Sequence, residues 1–467
     1  MHEGMTRNRT HTICCLPSNA PAGARLFHSA RRTAGAVPTG HRPPLPVLPA
    51  EPGACRAAPS PSKEFAMRFQ LRVAAAAALA SLATSAQAQS ESIFSLSGFG
   101  TVGVVGTDRD GAEYVIPSQI RGADKSWSGE VDSKLGVQLG AKFNNQFSAT
   151  VQVLSKQNGQ GSFTPGIEWA FAKWQATPGL ALRVGRMGGP FFAVSDFRDV
   201  GYANTWLRPP IDVYGQVPVS HFDGVDLSWQ TSVAGKALTL QVFGGKSSSH
   251  VEHTKVEIDA LVGVNATIEL LDGLSLRLGH ATGKLTVHSD PLNDLVGVLR
   301  RTPFAGVGDQ LDPNDKRASF SGVGLTYDQG NWIVLAEYTM RRMQTFIPDT
   351  TGWYTTVGYR VGKFTPYATL SRLKTDDSNV DNTIPASVVL PGMQAPLRVY
   401  VDGATAAQST PQKTIALGVR WDAMRNVAVK AQFDRIKTTG AGQFYNADPS
   451  FVNKRVNVYS LAVDFVF

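Results

Sequence analysis

From residue 93 the chain alternates apolar and polar residues in short runs, and the period is two. Lys134–Asn144 is the clearest case. Leu135, Val137, Leu139, Ala141 and Phe143 fall on one face, with Lys134, Gly136, Gln138, Gly140 and Lys142 on the other. Side chains of a strand alternate between faces, so this spacing predicts a strand with one apolar and one polar side. Asn144-Asn145-Gln146 turns it into a second alternating run, Phe147 to Val153, a hairpin signal. The last segment, Arg455 to Phe467, sets Tyr459, Leu461, Val463, Phe465 and Phe467 against Val458, Ser460, Ala462, Asp464 and Val466. One face is wholly apolar and the other carries a charge.

The same pattern predicts strands at 93–107, 166–175, 180–184, 225–229, 238–242, 256–264, 274–278, 323–327, 332–340, 353–361, 366–374, 415–421 and 427–433. Sixteen strands result, or eighteen if a loop hides a hairpin. Short turns alternate with long polar loops along the chain. Aromatics such as Trp229, Trp332, Trp353, Tyr359 and Trp421 sit on the apolar faces. Lys134, Lys142, Arg183, Arg277, Glu337, Arg360, Arg420 and Lys430 sit on the opposite faces. Apolar-out, polar-in strands with aromatics at their ends predict an all-β fold, a transmembrane antiparallel β-barrel with long outer loops and short periplasmic turns. Closure satisfies every backbone group in lipid and leaves no edge. No sequence repeat supports a solenoid or a propeller.

Gly98, Gly100 and Gly103 match the dinucleotide-binding spacing, but a strand with no helix after it makes the match accidental; glycines there relieve bending of a barrel strand. The 467 residues carry a formal charge of +8. Ten of the 45 basic and three of the 37 acidic residues lie in 1–88, leaving 35 and 34 in the rest. The basic excess belongs to the prefix and implies no nucleic-acid partner. Cys14, Cys15 and Cys55 lie in the prefix too, which removes disulfides and cysteine chemistry from the strand-bearing region. Met67–Ala88 reads as a secretory signal peptide, with Arg68 and Arg72, an apolar stretch from Val73 to Ala83, and the small-residue cleavage site Ala86-Gln87-Ala88. Three regions are expected: an untranslated or disordered extension (1–66), a signal peptide (67–88) and an exported barrel (89–467).

The closing segment ending in Phe467, together with Val184-Gly185-Arg186 at the end of the fifth strand, resembles the general porins of Gram-negative bacteria. The resemblance implies a sixteen-stranded, usually trimeric diffusion channel for small hydrophilic solutes. Its surroundings would be outer-membrane lipid and lipopolysaccharide. It also implies that the loop after the fifth strand, here 187–221, folds into the lumen as the constriction. That loop has aromatics (Phe191, Phe192, Phe197, Tyr202, Trp206, Tyr214) that a solvated loop would not need, and bends fixed by Gly188-Gly189-Pro190 and Pro209-Pro210. Its charges Asp196, Arg198, Asp199, Arg208 and Asp212 are the expected constriction residues, facing the wall residues named above. A substrate-specific channel for anions, sugars or aromatic acids is the alternative. A plugged receptor lacks a plug segment before the first strand. A barrel enzyme would need a catalytic set. Among His221, His250, His253, His280 and His288, only His250 and His253 lie near each other in sequence, a weak metal pair without a third ligand. No cofactor is implied.

Overall fold

A computed structural model describes residues 92–467. The expected extension, the signal peptide and the three cysteines lie outside the described residues. Sixteen antiparallel strands close into one barrel in which each strand pairs with its sequence neighbours and β1 with β16. The strands are β1 (Phe94–Thr107), β2 (Lys134–Lys142), β3 (Phe147–Lys156), β4 (Gly166–Thr177), β5 (Leu180–Gly188), β6 (His221–Val233), β7 (Lys236–Val251) and β8 (Thr254–Leu271). The second half holds β9 (Leu274–His288), β10 (Lys316–Gln329), β11 (Trp332–Met343), β12 (Thr350–Tyr359), β13 (Phe364–Thr375), β14 (Gln412–Met424), β15 (Val427–Thr438) and β16 (Arg455–Val466). Among the described residues no helix is long and apolar enough to cross a membrane. Every expected strand is present, and the facing holds except in β8, where a shift of register between Asp259 and Val262 turns Val256 and Ile258 inward while Val262 and Val264 face out, and at Arg360, which lies beyond the end of β12.

The apolar face points outward. Leu227, Val242, Val264, Leu278, Leu370, Leu417 and Leu461 are all exposed there, the band a bilayer would cover. Aromatics gather toward the short-turn end. Trp332 meets Tyr359 edge-on at 4.8 Å, and Phe364 stacks on Trp421 at 6.0 Å.

The β1–β16 seam explains two glycines differently from the sequence reading. A Cβ on Gly98 would stand 2.2 Å from Phe467 Cζ, and one on Gly100 would stand 2.3 Å from Phe465 Cζ. These glycines are seats for the rings of the closing strand, so the seam is a packed joint as well as a ladder.

One connection departs from expectation. Residues 243–255 read as a long polar loop, yet β7 and β8 run on to a tight turn, with Val251 paired to Thr254. The polar run Ser247-Ser248-Ser249-His250 is strand that rises past the apolar band. His250 is therefore a strand residue and His253 a turn residue.

The other loops at that end carry helices: α1 (Ile211–Tyr214) between β5 and β6, α2 (Asp290–Leu299) and α3 (Ala305–Leu311) between β9 and β10, and α4 (Leu397–Ala406) between β13 and β14.

Candidate functional site

The loop between β5 and β6 lies inside the barrel, and a chain of local causes puts it there. Its aromatics are buried against inward-facing wall residues. Trp206 and Phe192 are each about 1% exposed, in one apolar cluster with Phe222, Phe243, Phe320, Tyr354 and Tyr367 from five strands. Phe192 stacks on Tyr214 at 4.4 Å, and Trp206 meets Tyr354 edge-on at 5.5 Å. Fully burying an aromatic side chain is worth about 1.5–3 kcal/mol. The apolar content of the loop is thus what holds it off the solvent and against the wall.

Charges then fix its position. Arg277 of β9 donates from Nη2 to the Pro190 carbonyl at 2.5 Å and from Nη1 to the Phe191 carbonyl at 3.2 Å. Glu337 of β11 is 4% exposed and accepts from the Ala193 amide at 2.8 Å, the Tyr214 hydroxyl at 2.5 Å and the Tyr354 hydroxyl at 2.9 Å. Arg420 of β14 donates to the Tyr202 and Asn204 carbonyls at 2.6 and 3.0 Å and lies over the Tyr202 ring. Lys430 of β15 is wholly buried. Its Nζ donates to the carbonyls of Gly201, Asn204 and Trp206 at 2.7, 2.7 and 2.9 Å, and it pairs with Asp464 of β16 at 3.0 Å. Four residues expected on the pore wall therefore face inward and are spent on holding the loop.

Two residues expected at the constriction are in the same position. Arg208 is enclosed by Asp132, Asp434, Ser460 and Tyr114, with its shortest bonds, both 2.6 Å, running from Nη2 to Asp132 Oδ2 and to Ser460 Oγ. Asp212, in α1, accepts from Gln412 Nε2 at 2.6 Å and from Ser371 Oγ. Burial pushes its carboxyl above the ordinary range, and these hydrogen bonds offset part of that. Neither residue has surface to show to a solute. Arg360 also differs from expectation: it follows β12 in the short turn and grips Asp328 near the end of β10 at 2.6 and 2.8 Å. Lys142 ends β2 at the short-turn end and is exposed.

The remaining charges meet on the other side of the lumen. Asp199 pairs with Lys156 of β3 at 2.9 Å, Lys134 of β2 at 3.7 Å and its neighbour Arg198 at 3.8 Å. Burial alone would raise the Asp199 carboxyl, but these three cations overcome it and hold it well below the usual carboxylate range. Arg183 of β5 donates to Asp226 of β6 at 2.9 Å and lies 5.5 Å from the Phe171 ring. Glu168 sits at a bulge, since Gln152 pairs with Trp169 and Val153 with Ile167. The bulge frees its side chain to stand 3.7 Å from His221 Nδ1. Asp196 and Phe197 are exposed at the edge of the loop.

Side-chain exposure separates the two groups. Lys156 is 35% and Arg183 23% exposed, whereas Arg208 is 4% and Lys430 0% exposed. The loop is anchored by buried charges on β9–β16, while its 195–199 edge meets the β2–β6 wall through the partly exposed heads of Lys134, Lys156 and Asp199. Lys156, Glu168 and Asp226 were not among the sequence candidates. Extending the inward register of β3 and β6 by one or two pairs reaches Lys156 and Asp226, while Glu168 depends on a bulge that no alternation rule shows.

A closed sixteen-strand barrel with an inward loop and a charged opening is the geometry of a diffusion channel, and residues 74–463 match the Gram-negative porin family. The chain belongs to that family. It is an outer-membrane channel. No curated protein matches this porin. Solved structures similar to it include OmpF of Salmonella typhi in complex with daunomycin, at 16% identity and a TM-score of 0.47, covering 80% of this chain and 97% of that one. An anion-selective porin from Comamonas acidovorans is similar at 12% identity and a TM-score of 0.48, covering 80% and 99%. The outer-membrane channel DcaP of Acinetobacter baumannii is similar at 10% identity and a TM-score of 0.48, covering 81% and 99%.

Proposed function

We propose that this porin is exported by the segment 67–88 and works as the barrel of 89–467. In this reading it passes small hydrophilic solutes and ions through an eyelet between the 195–199 edge of the inserted loop and the β2–β6 wall. The cationic side of the eyelet is Lys134, Lys156, Arg183 and Arg198; the anionic side is Glu168, Asp196 and Asp199, with Asp226 buried behind Arg183. Opposed charges in a narrow, low-dielectric passage orient polar solutes and select ions by sign and size. The observation that carries this reading is the difference in exposure. Arg208, Glu337 and Lys430 are buried in loop anchoring, while Lys156, Arg183 and Arg198 keep partly exposed heads. The reading includes no catalytic step. Assembly as a homotrimer in outer-membrane lipid and lipopolysaccharide enters it from the family.

Planar-bilayer recording of the purified protein tests it. Ohmic openings in groups of three, with a reversal potential that moves when Arg198 or Lys156 is neutralised, are expected. Openings indifferent to those two residues but altered by changes at β9–β16 would move the passage elsewhere. A folded barrel that never conducts would remove the channel reading.

A further inference from the structure

The lumen wall breaks the polar-inward rule at one place. Near their long-loop ends the adjacent strands β8 to β11 turn apolar residues inward: Val256 and Ile258, Leu285 and Val287, Phe320, and Met343. Lumen-facing positions of a water-filled barrel are ordinarily polar. Phe191 and Val217 of the inserted loop form the floor of this patch. Between floor, wall and outer loops lies a cavity of about 280 Å³.

Its charge is one-sided. Arg341 is the sole lysine, arginine, histidine or carboxylate side chain among the described residues that line the cavity; the Tyr445 hydroxyl there donates to Glu252 Oε1 at 2.5 Å. Its Nη1 and Nη2 donate to the Gln216 and Pro348 carbonyls at 3.0 and 3.2 Å. Its Nε is out of contact with water and makes no hydrogen bond. Among the described residues it makes no ion pair within 4.0 Å; Asp349 acts on it from farther off and is itself paired with Arg342 at 3.4 Å. The side-chain oxygen of Gln443, which also lines the cavity, is buried without a partner. A half-buried cation hydrogen-bonded only to neutral carbonyls favours a closer counter-ion, and the apolar wall favours a hydrocarbon body. A small apolar pocket with a few converging polar groups is what ligand sites look like.

We propose that this cavity binds a small carboxylate with an apolar body, its charge toward Arg341 and its hydrocarbon on Val256, Leu285, Val287 and Phe320. The proposal rests on the channel reading and adds to it a solute class retained above the eyelet. The same head-and-tail chemistry is found in the long-chain fatty acids released when membrane lipids are hydrolysed. The size of the cavity points to the short free acids.

Calorimetric titration of the whole barrel in lipid nanodiscs, against empty nanodiscs, tests this with acetate, butyrate, hexanoate and palmitate, plus hexanol and hexylamine. Affinity is expected to rise about fourfold per methylene from acetate to hexanoate. Palmitate is expected to gain nothing further, and hexylamine not to bind. Arg341→Gln should weaken hexanoate by about tenfold or more and erase its advantage over hexanol. Arg341→Lys should restore most of it. Should Arg341→Gln fail to fold, Val287→Thr decides: of equal shape, it leaves Arg341 in place and is expected to flatten the chain-length series. Equal binding of acetate and hexanoate, binding of hexylamine, an unchanged series in Val287→Thr, or tightest binding by palmitate would overturn the proposal. Potassium chloride conductance of the same preparation separates the two levels. A conducting barrel that ignores hexanoate sinks the cavity alone; a binding barrel that does not conduct sinks the channel and keeps the cavity.

Discussion

Lys430→Met is the most informative single change in the loop anchor. The lysine is wholly enclosed, gives three hydrogen bonds to the carbonyls of Gly201, Asn204 and Trp206, and neutralises Asp464. Methionine fills most of the volume and removes the charge. What remains is a buried carboxylate with Thr101 Oγ1 as its donor at 2.6 Å, and a Trp206 carbonyl stripped of the ammonium, while the Gly201 and Asn204 carbonyls keep the Asn204 amide and Arg420 as donors. Breaking a buried pair from one side costs about 3–5 kcal/mol. The loop has independent anchors at Arg277, Glu337 and Arg208, so the loss is expected as local release of 200–207 rather than collapse of the barrel. Hydrogen exchange of a peptide spanning those residues reads it directly. An opening equilibrium shifted by that energy speeds exchange by about 150- to 5,000-fold. The Ala203 and Asn204 amides, now bonded to Val200 and Gly201 carbonyls, are the reporters. Lys430→Met with Asp464→Asn removes both charges and should recover a good part of the protection. A change under tenfold in the single variant, or no recovery in the double, would refute the claim that this pair holds the loop.

Three further outcomes follow from the same geometry. Arg198→Glu reverses one charge at the eyelet edge; two charge units at roughly 10 Å in water favour a cation and disfavour an anion by about fourfold each, shifting the cation-to-anion permeability ratio by about 15-fold at low salt, read from the reversal potential. Asp199→Asn should differ from the native channel at neutral pH, because a carboxyl held below its ordinary value stabilises the docked edge wherever it is ionised. That contribution is full above the ordinary aspartate range and is lost as the pH falls below about 4, so conductance records of the two proteins should merge only there. Gly98→Val puts a branched side chain where the Phe467 ring lies, which should cost about 1–3 kcal/mol and slow appearance of the heat-modifiable folded band on gels.

Alternation along the strands was enough to give the barrel, its strand count and the facing of nearly every residue, because a period of two is fixed by the backbone. It could not separate Lys430 from Lys156. Both face inward, and what distinguishes them is how the inserted loop meets them: it covers Lys430 wholly and touches Lys156 only at its charged edge, through Asp199. Arg208 and Asp212 misled for the same reason: a charge in a constricting loop looks alike whether it points at the passage or at the wall. The β7–β8 turn was hidden because a serine run that extends a strand beyond the bilayer has the composition of a loop. Arg360 was displaced by the last residue of β12, where alternation ends without a mark.

The inserted loop also touches the seam where the barrel shuts. A Cβ on Gly201 would stand 2.0 Å from Asp464 Oδ1 of β16 and 2.7 Å from Thr101 Oγ1 of β1. Residues from the first strand, the middle of the chain and the last strand thus meet at one point inside the wall. A side chain at 201 would hold the loop off the seam, because the space it needs is already taken by Asp464 and Thr101. The glycine is thus the clearance that lets a loop entering by the open mouth of the barrel rest directly on the joint between the first and last strands.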